Sequence, residues 1–304
     1  MKRALVTGAY GFLGRHVALD LARAGYTVWG IGHGAWPADD HAAWGVSTWV
    51  AGDVDGAVLV ALDCSPDLIV HCAGGSAVGV AEQDPVGDFQ RSVGSTAALL
   101  QTQVRRWPDA RLVYASSASV YGNAARQPLD ESMPLAPVSI YGLHKRLAEQ
   151  AIEFYAERFG LRASIVRLFS IYGAGLRKQL FWDACAKLSR GEGSFPGTGE
   201  ETRDWLHVQD AAALMRIAGE RPEPGLLVLN GGTGEARRVG AVLGLIARQI
   251  APGCDVSFTG QRRSGDPEHY RAETGRARSL GWAPQSDFDA ALAEYCAWFR
   301  RSAP

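Results

Sequence analysis

Tyr141 and Lys145, in the run Tyr141-Gly-Leu-His-Lys145, stand four positions apart and so share one face of any helix that contains them. A free tyrosine, with a pKa of about 10, is a poor base near neutrality. A nearby ammonium group favours the phenolate, and a lowering of about three units corresponds to roughly 4 kcal/mol. Tuned in that way, Tyr141 suits general acid/base work on an alcohol and ketone pair. Ser117, in the hydroxyl-rich segment Ala115-Ser-Ser-Ala-Ser-Val-Tyr-Gly122, is placed to hydrogen-bond the same oxygen. A bare Tyr-x-x-x-Lys often marks only a helix-surface contact, so the pair takes its weight from its company.

That company begins at Thr7-Gly-Ala-Tyr-Gly-Phe-Leu-Gly14. The apolar run Ala4, Leu5, Val6 before it reads as a buried strand, and Leu13, Val17 and Leu21 after it recur as a helix face does. Gly8 would allow the tight turn, Gly11 the approach of a pyrophosphate, and Gly14 close packing of helix on strand. Tyr10, Phe12 and Leu13 complete the turn, and the positive end of the helix faces the phosphates. A nicotinamide cation held there would add to the pull on Tyr141.

The second strand, Thr27 to Ile31, runs into Gly32, His33 and Gly34 where dinucleotide folds place the group that judges the adenosine ribose. A carboxylate there would repel a 2'-phosphate; glycine leaves room and His33 could donate to it, which favours NADP(H) over NAD(H). Asp53 and Val54 follow a third strand, Val46 to Val50, with the Asp53 carboxylate placed for an adenine amino group. Asp55 reads as a helix cap. Cys72, Ala73 and Gly74 follow a fourth strand, Leu68 to Val70, and are small enough for close approach by a cofactor. Leu112 to Tyr114 is a fifth strand and Ala163 to Leu168 a sixth; the segment Pro85 to Arg106 reads as mostly helical.

Alternating strands and helices argue for an α/β fold, a Rossmann-type doubly wound parallel sheet. The expected division is a dinucleotide-binding domain with the Ser/Tyr/Lys set over 1–170 and a smaller mixed α/β substrate-binding region over 171–304. At 304 residues, 47% hydrophobic and 21% charged, the chain can bury a large core. A net charge of -1 with dispersed Lys and Arg speaks against nucleic acid or an anionic membrane as main partner. Cys64, Cys72, Cys185, Cys254 and Cys296 lack metal-ligand spacing and read as small buried residues in a reducing compartment, hence a cytoplasmic protein. The apolar run after Met1-Lys-Arg is broken at Thr7 and Gly8, too early for a signal peptide.

Taken together, these residues resemble the extended short-chain dehydrogenase/reductase family, in particular its nucleotide-diphosphate-sugar epimerases, dehydratases and reductases. TGAYGFLG is similar to the family's cofactor turn, SSASVYG to its active-site serine segment, and Tyr141 with Lys145 to its catalytic pair. The resemblance implies that Ser117 is the catalytic Ser/Thr, that Tyr141 and Lys145 also contact the cofactor, and that Ser117, Ser119, Ser170, Arg203 and Arg263 meet a UDP-, GDP- or dTDP-linked hexose. The two arginines would bind its diphosphate, for which a guanidinium fork is suited. It also implies a homodimer through a four-helix bundle, built from Val93 to Arg106 and Tyr141 to Arg158. The chain departs from the family at Ser92 and Ser170, where Asn is common. It also lacks the Asp-Glu that dehydratases carry after the catalytic Ser/Thr, having Ala118-Ser119 instead.

The resulting expectation is epimerisation at hexose C4 through a 4-keto intermediate. The alternative is an NADPH-dependent reductase of a nucleotide-linked 4-keto-6-deoxy sugar. A reductase of an apolar ketone is disfavoured by Arg203 and Arg263, and a non-catalytic cofactor-binding protein by the intact Ser117, Tyr141 and Lys145.

Overall fold

A computed structural model describes residues 2–124, 126–221, 223–261 and 268–302. The chain runs β1 (Lys2–Thr7), α1 (Phe12–Arg23), β2 (Tyr26–Gly32), α2 (Ala38–Ala43), β3 (Val46–Ala51), α3 (Gly56–Ala61), β4 (Leu68–His71), α4 (Val78–Gln83) and α5 (Pro85–Phe89). A π-helical turn, Gln90–Gly94, joins α5 to α6 (Ser95–Arg106); β5 (Arg111–Ser117) ends in a 3-10 turn, and a loop leads to α7 (Ile140–Phe159) and β6 (Ala163–Leu168). Then come β7 (Ser170–Tyr172), α8 (Gln179–Leu188), β8 (Ser194–Phe195), β9 (Thr202–His207), α9 (Val208–Glu220) and β10 (Leu226–Gly231). The last elements are β11 (Ala236–Arg238), α10 (Val239–Ile250), β12 (Ser257–Phe258), α11 (Gly275–Ser279) and α12 (Phe288–Ser302).

Seven parallel strands form the central sheet in the order β10-β6-β5-β4-β1-β2-β3. The doubly wound α/β expectation is met. Strand order reverses between β1 and β4, whose register pairs Thr7 with His71, so a crevice opens at their carboxyl ends. Apolar residues cover both faces of the sheet. Val6, Val17, Leu21, Leu214 and Met215 fill the side under α1 and α9, while Leu5, Ile69, Leu99 and Ile152 fill the side under α6 and α7. A third cluster, including Phe181, Trp205, Leu243 and Tyr295, builds the lobe over the strand ends. Each such side chain contributes about 1.5–3 kcal/mol on burial, which holds the walls of the crevice in place.

Three features depart from the sequence pattern. The chain returns to the sheet after residue 170: α9 covers it and β10 pairs with β6, so the division at 170/171 does not separate two bodies of structure. The helix expected from Pro85 to Arg106 carries the π turn, which adds a residue to the local hydrogen-bond ladder. The short α2 and the three-stranded sheet β11-β9-β7 have segments too short for a period to register.

Candidate active site

The glycine turn closes onto the fourth strand. Gly8 has φ +67°, and a Cβ there would stand 2.8 Å from the backbone nitrogen of Ala73. A Cβ on Gly14 would lie 2.1 Å from the Gly8 carbonyl oxygen, so the helix can approach the strand only with glycine at this position. Gly11 is exposed and its N–H donates to the Gly8 carbonyl at 2.9 Å. α1 starts there without a side-chain cap, leaving its first-turn N–H groups directed at the crevice. The crevice measures about 1730 Å3 and is lined by Tyr10, Phe12, Leu13, Val54, Cys72 and Gly74 among others. These observations fit a dinucleotide, whose pyrophosphate needs bare backbone N–H groups.

At the end of β2 the geometry differs from expectation. His33 Nε2 lies 2.9 Å from Asp53 Oδ1, with both side chains largely exposed at the crevice mouth. The imidazole donor expected for a phosphate and the carboxylate expected for adenine are turned toward each other. The room left by Gly32 is limited as well, because a Cβ there would be 3.2 Å from the Trp49 ring.

The reaction centre forms where β5 ends against the first turns of α7. Ser139 caps that helix by accepting from the Gly142 N–H at 3.1 Å, which orients Tyr141 and Lys145 into the crevice. Lys145 is 4% exposed; its Nζ donates to the Ala115 carbonyl at 2.9 Å and lies 5.8 Å from the Tyr141 ring centroid. Tyr141 and Ser117 line the same wall of the crevice, and Ser117 Oγ accepts from the Ser119 N–H at 3.2 Å. Ser119 Oγ is buried in the same wall without a protein partner.

Burial pushes Tyr141 up to about 12; the Ser117 hydroxyl pulls it back, and the Asp88 charge raises it further. Burial pushes Lys145 down to about 8, opposed by Asp88, Cys72 and Glu149. Desolvation is thus the largest influence of the protein wall on Tyr141.

Behind the centre a hydrogen-bonded chain fixes the strand ends. Thr96 Oγ1 donates its one proton to the Ser92 carbonyl at 2.6 Å, so it accepts from His71 Nε2 at 3.0 Å. His71 Nδ1 then accepts from Thr7 Oγ1 at 2.6 Å, and Thr7 Oγ1 accepts from the Ala73 N–H at 3.3 Å. Burial, with Lys145 nearby, pushes His71 down to about 3, so it is a neutral strut. Ser92 accepts from the Gly75 N–H at 2.9 Å. Neither of two further buried pairs, Glu149 with Arg167 and Asp88 with His144, was signalled by local sequence spacing.

On the substrate side, Ser170 and Arg203 line the crevice. Arg203 donates from Nη1 to the carbonyls of Thr202 and Glu268 at 2.9 and 3.1 Å. Arg263 lies outside the described residues. Sequence reasoning passed over Lys178, whose Nζ donates to Ser76 Oγ at 2.7 Å, and Gln179, whose amide donates to the Ser76 carbonyl at 3.1 Å. Both lie between 176 and 195, in a segment that lines the crevice, but pattern alone does not give side-chain direction.

Residues 4–230 match the model of the NAD dependent epimerase/dehydratase family. The chain belongs to this family. It is 32% identical to a UDP-glucose 4-epimerase of Rhizobium meliloti (strain 1021), over 98% of this chain and 97% of that protein. It is 29% identical to a UDP-glucose 4-epimerase of Azospirillum brasilense, over 98% and 92%. Among solved structures it resembles MoeE5 in complex with UDP-glucose and NAD, with a TM-score of 0.85 and 27% identity over 100% of both chains. The UDP-glucose 4-epimerase of Thermotoga maritima, at 23% identity and a TM-score of 0.88 over 99% and 100%, has the same fold. Family membership supports a nicotinamide dinucleotide cofactor. Among the described residues no helix is long and apolar enough to cross a membrane.

Proposed function

We propose that this protein epimerises a UDP-linked hexose at C4 and keeps NAD(H) bound through each turnover. The observation that carries the reading is the convergence of Ser117, Tyr141 and Lys145 in a crevice whose other end is the glycine turn. The UDP-glucose 4-epimerases that match nearly the whole chain support it. When bound, nicotinamide supplies the place to which C4 gives its hydride and from which it regains it, and in its oxidised form a positive charge beside Tyr141. The Tyr141 oxygen takes the proton of the C4 hydroxyl and later returns one to the ketone oxygen after the sugar has presented its other face. Ser117 holds that oxygen. Lys145, with one ammonium hydrogen spent on Ala115, keeps two for ribose hydroxyls. Arg203 and Arg263 are assigned to the diphosphate, and Ser119 and Ser170 to the sugar.

NAD(H) replaces the NADP(H) suggested by Gly32 and His33. Asp53 engages His33 and sets a negative charge where a 2'-phosphate would come, and MoeE5 carries NAD. Lys178 favours a second substrate form, a hexose with a carboxylate at C6: its ammonium faces the crevice and forms no ion pair among the described residues. MoeE5 also has a complex with UDP-glucuronic acid and NAD. The exposed Leu143, Phe154 and Phe159 of α7 support a homodimer through α6 and α7, and the five free cysteines support a cytoplasmic setting.

Proton NMR of UDP-glucose and UDP-glucuronic acid incubated separately with the enzyme, without added cofactor, tests the reading. A mixture of both C4 epimers from either substrate is expected, and none from Tyr141→Phe, which still binds. Unchanged substrates together with NADPH consumption by a 4-keto sugar would replace it with the reductase.

A further inference from the structure

The Tyr141–Lys145 pair shares its surroundings with an acid that the mechanism above does not use. Asp88, on α5, is 0% exposed. Its Oδ2 accepts from Nδ1 of His144 at 2.7 Å, while Oδ1 is buried with no hydrogen-bond partner among the described residues. Gly75 abuts that free oxygen, since a Cβ there would stand 1.9 Å from it. The adjoining Gly74 faces the lysine, with a Cβ there 3.4 Å from Lys145 Nζ. His144 directly precedes Lys145 in the sequence and follows Tyr141 by three positions, on the same helix. A buried carboxylate normally has its lone pairs met by donors, and an oxygen without one needs a reason.

We propose that Asp88, clamped by His144, is the fixed counter-charge of the Tyr141–Lys145 pair: a positioning residue whose bare oxygen sets a negative charge beside the ammonium of Lys145. Carboxylate charge that is not consumed by close donors acts over a longer range in a poorly solvated site. The groups facing Asp88 agree with this role. On α7 these are Tyr141, His144 and Lys145, and on β5 Tyr114. Arg91 in the π turn is taken by Asp84 at 3.2 Å, Glu149 by Arg167, and Glu82 of α4 accepts from the Ile140 N–H. Lys145 is thus the cation here whose hydrogen bond goes to a neutral carbonyl. The Asp88 charge raises both Lys145 and Tyr141, so its loss moves both in the acid direction whichever group controls the rate.

The kinetic arm of the test rests on the proposed 4-epimerase activity, so a second arm reads the lysine itself. Lys145 is labelled by reductive 13C-methylation of the whole protein, its resonance assigned by its loss in Lys145→Arg, and titrated by NMR. Asp88→Asn is expected to lower its midpoint by about one unit or more. The corresponding limb of kcat/KM for the UDP-hexose moves acidward with it. His144→Gln, which keeps the carboxylate and a donor, leaves the midpoint in place. Should the single variant misfold, Asp88→Asn with His144→Gln pairs two amides and is expected to show the same shift. An unmoved midpoint, with kcat/KM scaled equally at every pH, would overturn the proposal and leave Asp88 a structural residue. A moved midpoint in a protein that epimerises nothing would support the counter-charge and count against the epimerase.

Discussion

Helix α7 carries two buried acid–base pairs that use their charges in opposite ways. Glu149 is saturated: Arg167 grips both carboxylate oxygens at 3.1 and 3.0 Å, Ser116 donates at 2.5 Å and Arg146 approaches at 3.4 Å. Arg167 in turn donates to Tyr121 OH and the Glu131 carbonyl, and Tyr121 OH donates to Asn230. Every charge there is met locally, and the network ties α7 to β5, β6 and β10. Asp88 has one donor and one bare oxygen beside the reaction centre. A saturated pair holds a helix in place; an unsaturated one leaves a field for its neighbours.

The comparison can be broken most forcefully at Glu149. Glu149→Leu leaves the Arg167 cation buried and unpaired and is expected to cost about 3–5 kcal/mol in urea unfolding. A loss below about 1 kcal/mol would mean the network is dispensable. Next in size is a pH effect at His71, buried without any acid. Its folded pKa, about 3, is below the ordinary 6.5, so between these values the unfolded chain binds a proton that the folded chain does not. Its contribution is present above pH 6.5 and is lost as pH falls toward 3. His71→Gln should flatten that part of the stability–pH curve; an unaltered slope would assign it to other groups.

Smaller effects sharpen the contrast. Asp88→Asn is expected to cost less than Glu149→Leu, about 1.5 kcal/mol or below, because one hydrogen bond rather than four is altered. A larger loss of stability would place Asp88 with the structural network. Ser116→Ala should cost about 1 kcal/mol by equilibrium unfolding and leave the kcat/KM pH profile where it is. Removing the exposed Arg190–Glu192 pair by Glu192→Gln should leave the unfolding midpoint unchanged, and any clear shift would show that surface charge matters more than burial suggests.

What the sequence disclosed divides along the same lines. The glycine turn, the strand–helix alternation and the Tyr141–Lys145 pair were legible because each is set by spacing within a few residues. Ser117 was legible because hydroxyls crowd the end of one strand. Asp88 and His144 stand 56 positions apart and meet only through packing, so neither residue type signals the other. His33 and Asp53 were both expected at the ribose end, but not their contact at 2.9 Å, which depends on how β2 and β3 leave the sheet. The desolvation of Tyr141 was not legible for a related reason: charge can be counted in a sequence, whereas desolvation is a property of the finished wall around it.

The last strand of the sheet has a consequence for synthesis. β6 is buried on both faces and pairs on one side with β5, but its other edge is covered by β10, which follows only after β7, α8, β8, β9 and α9. While the chain emerges from the ribosome, β6 therefore waits with a row of bare N–H and C=O groups until Leu226–Gly231 arrives to pair with it. The same late strand brings Asn230 to Tyr121, so the network that holds α7 is closed by nearly the last segment to reach the sheet. A nascent chain stalled before residue 226 would display an adhesive edge and an unfinished anchor for its catalytic helix, the state in which a chaperone has most to offer.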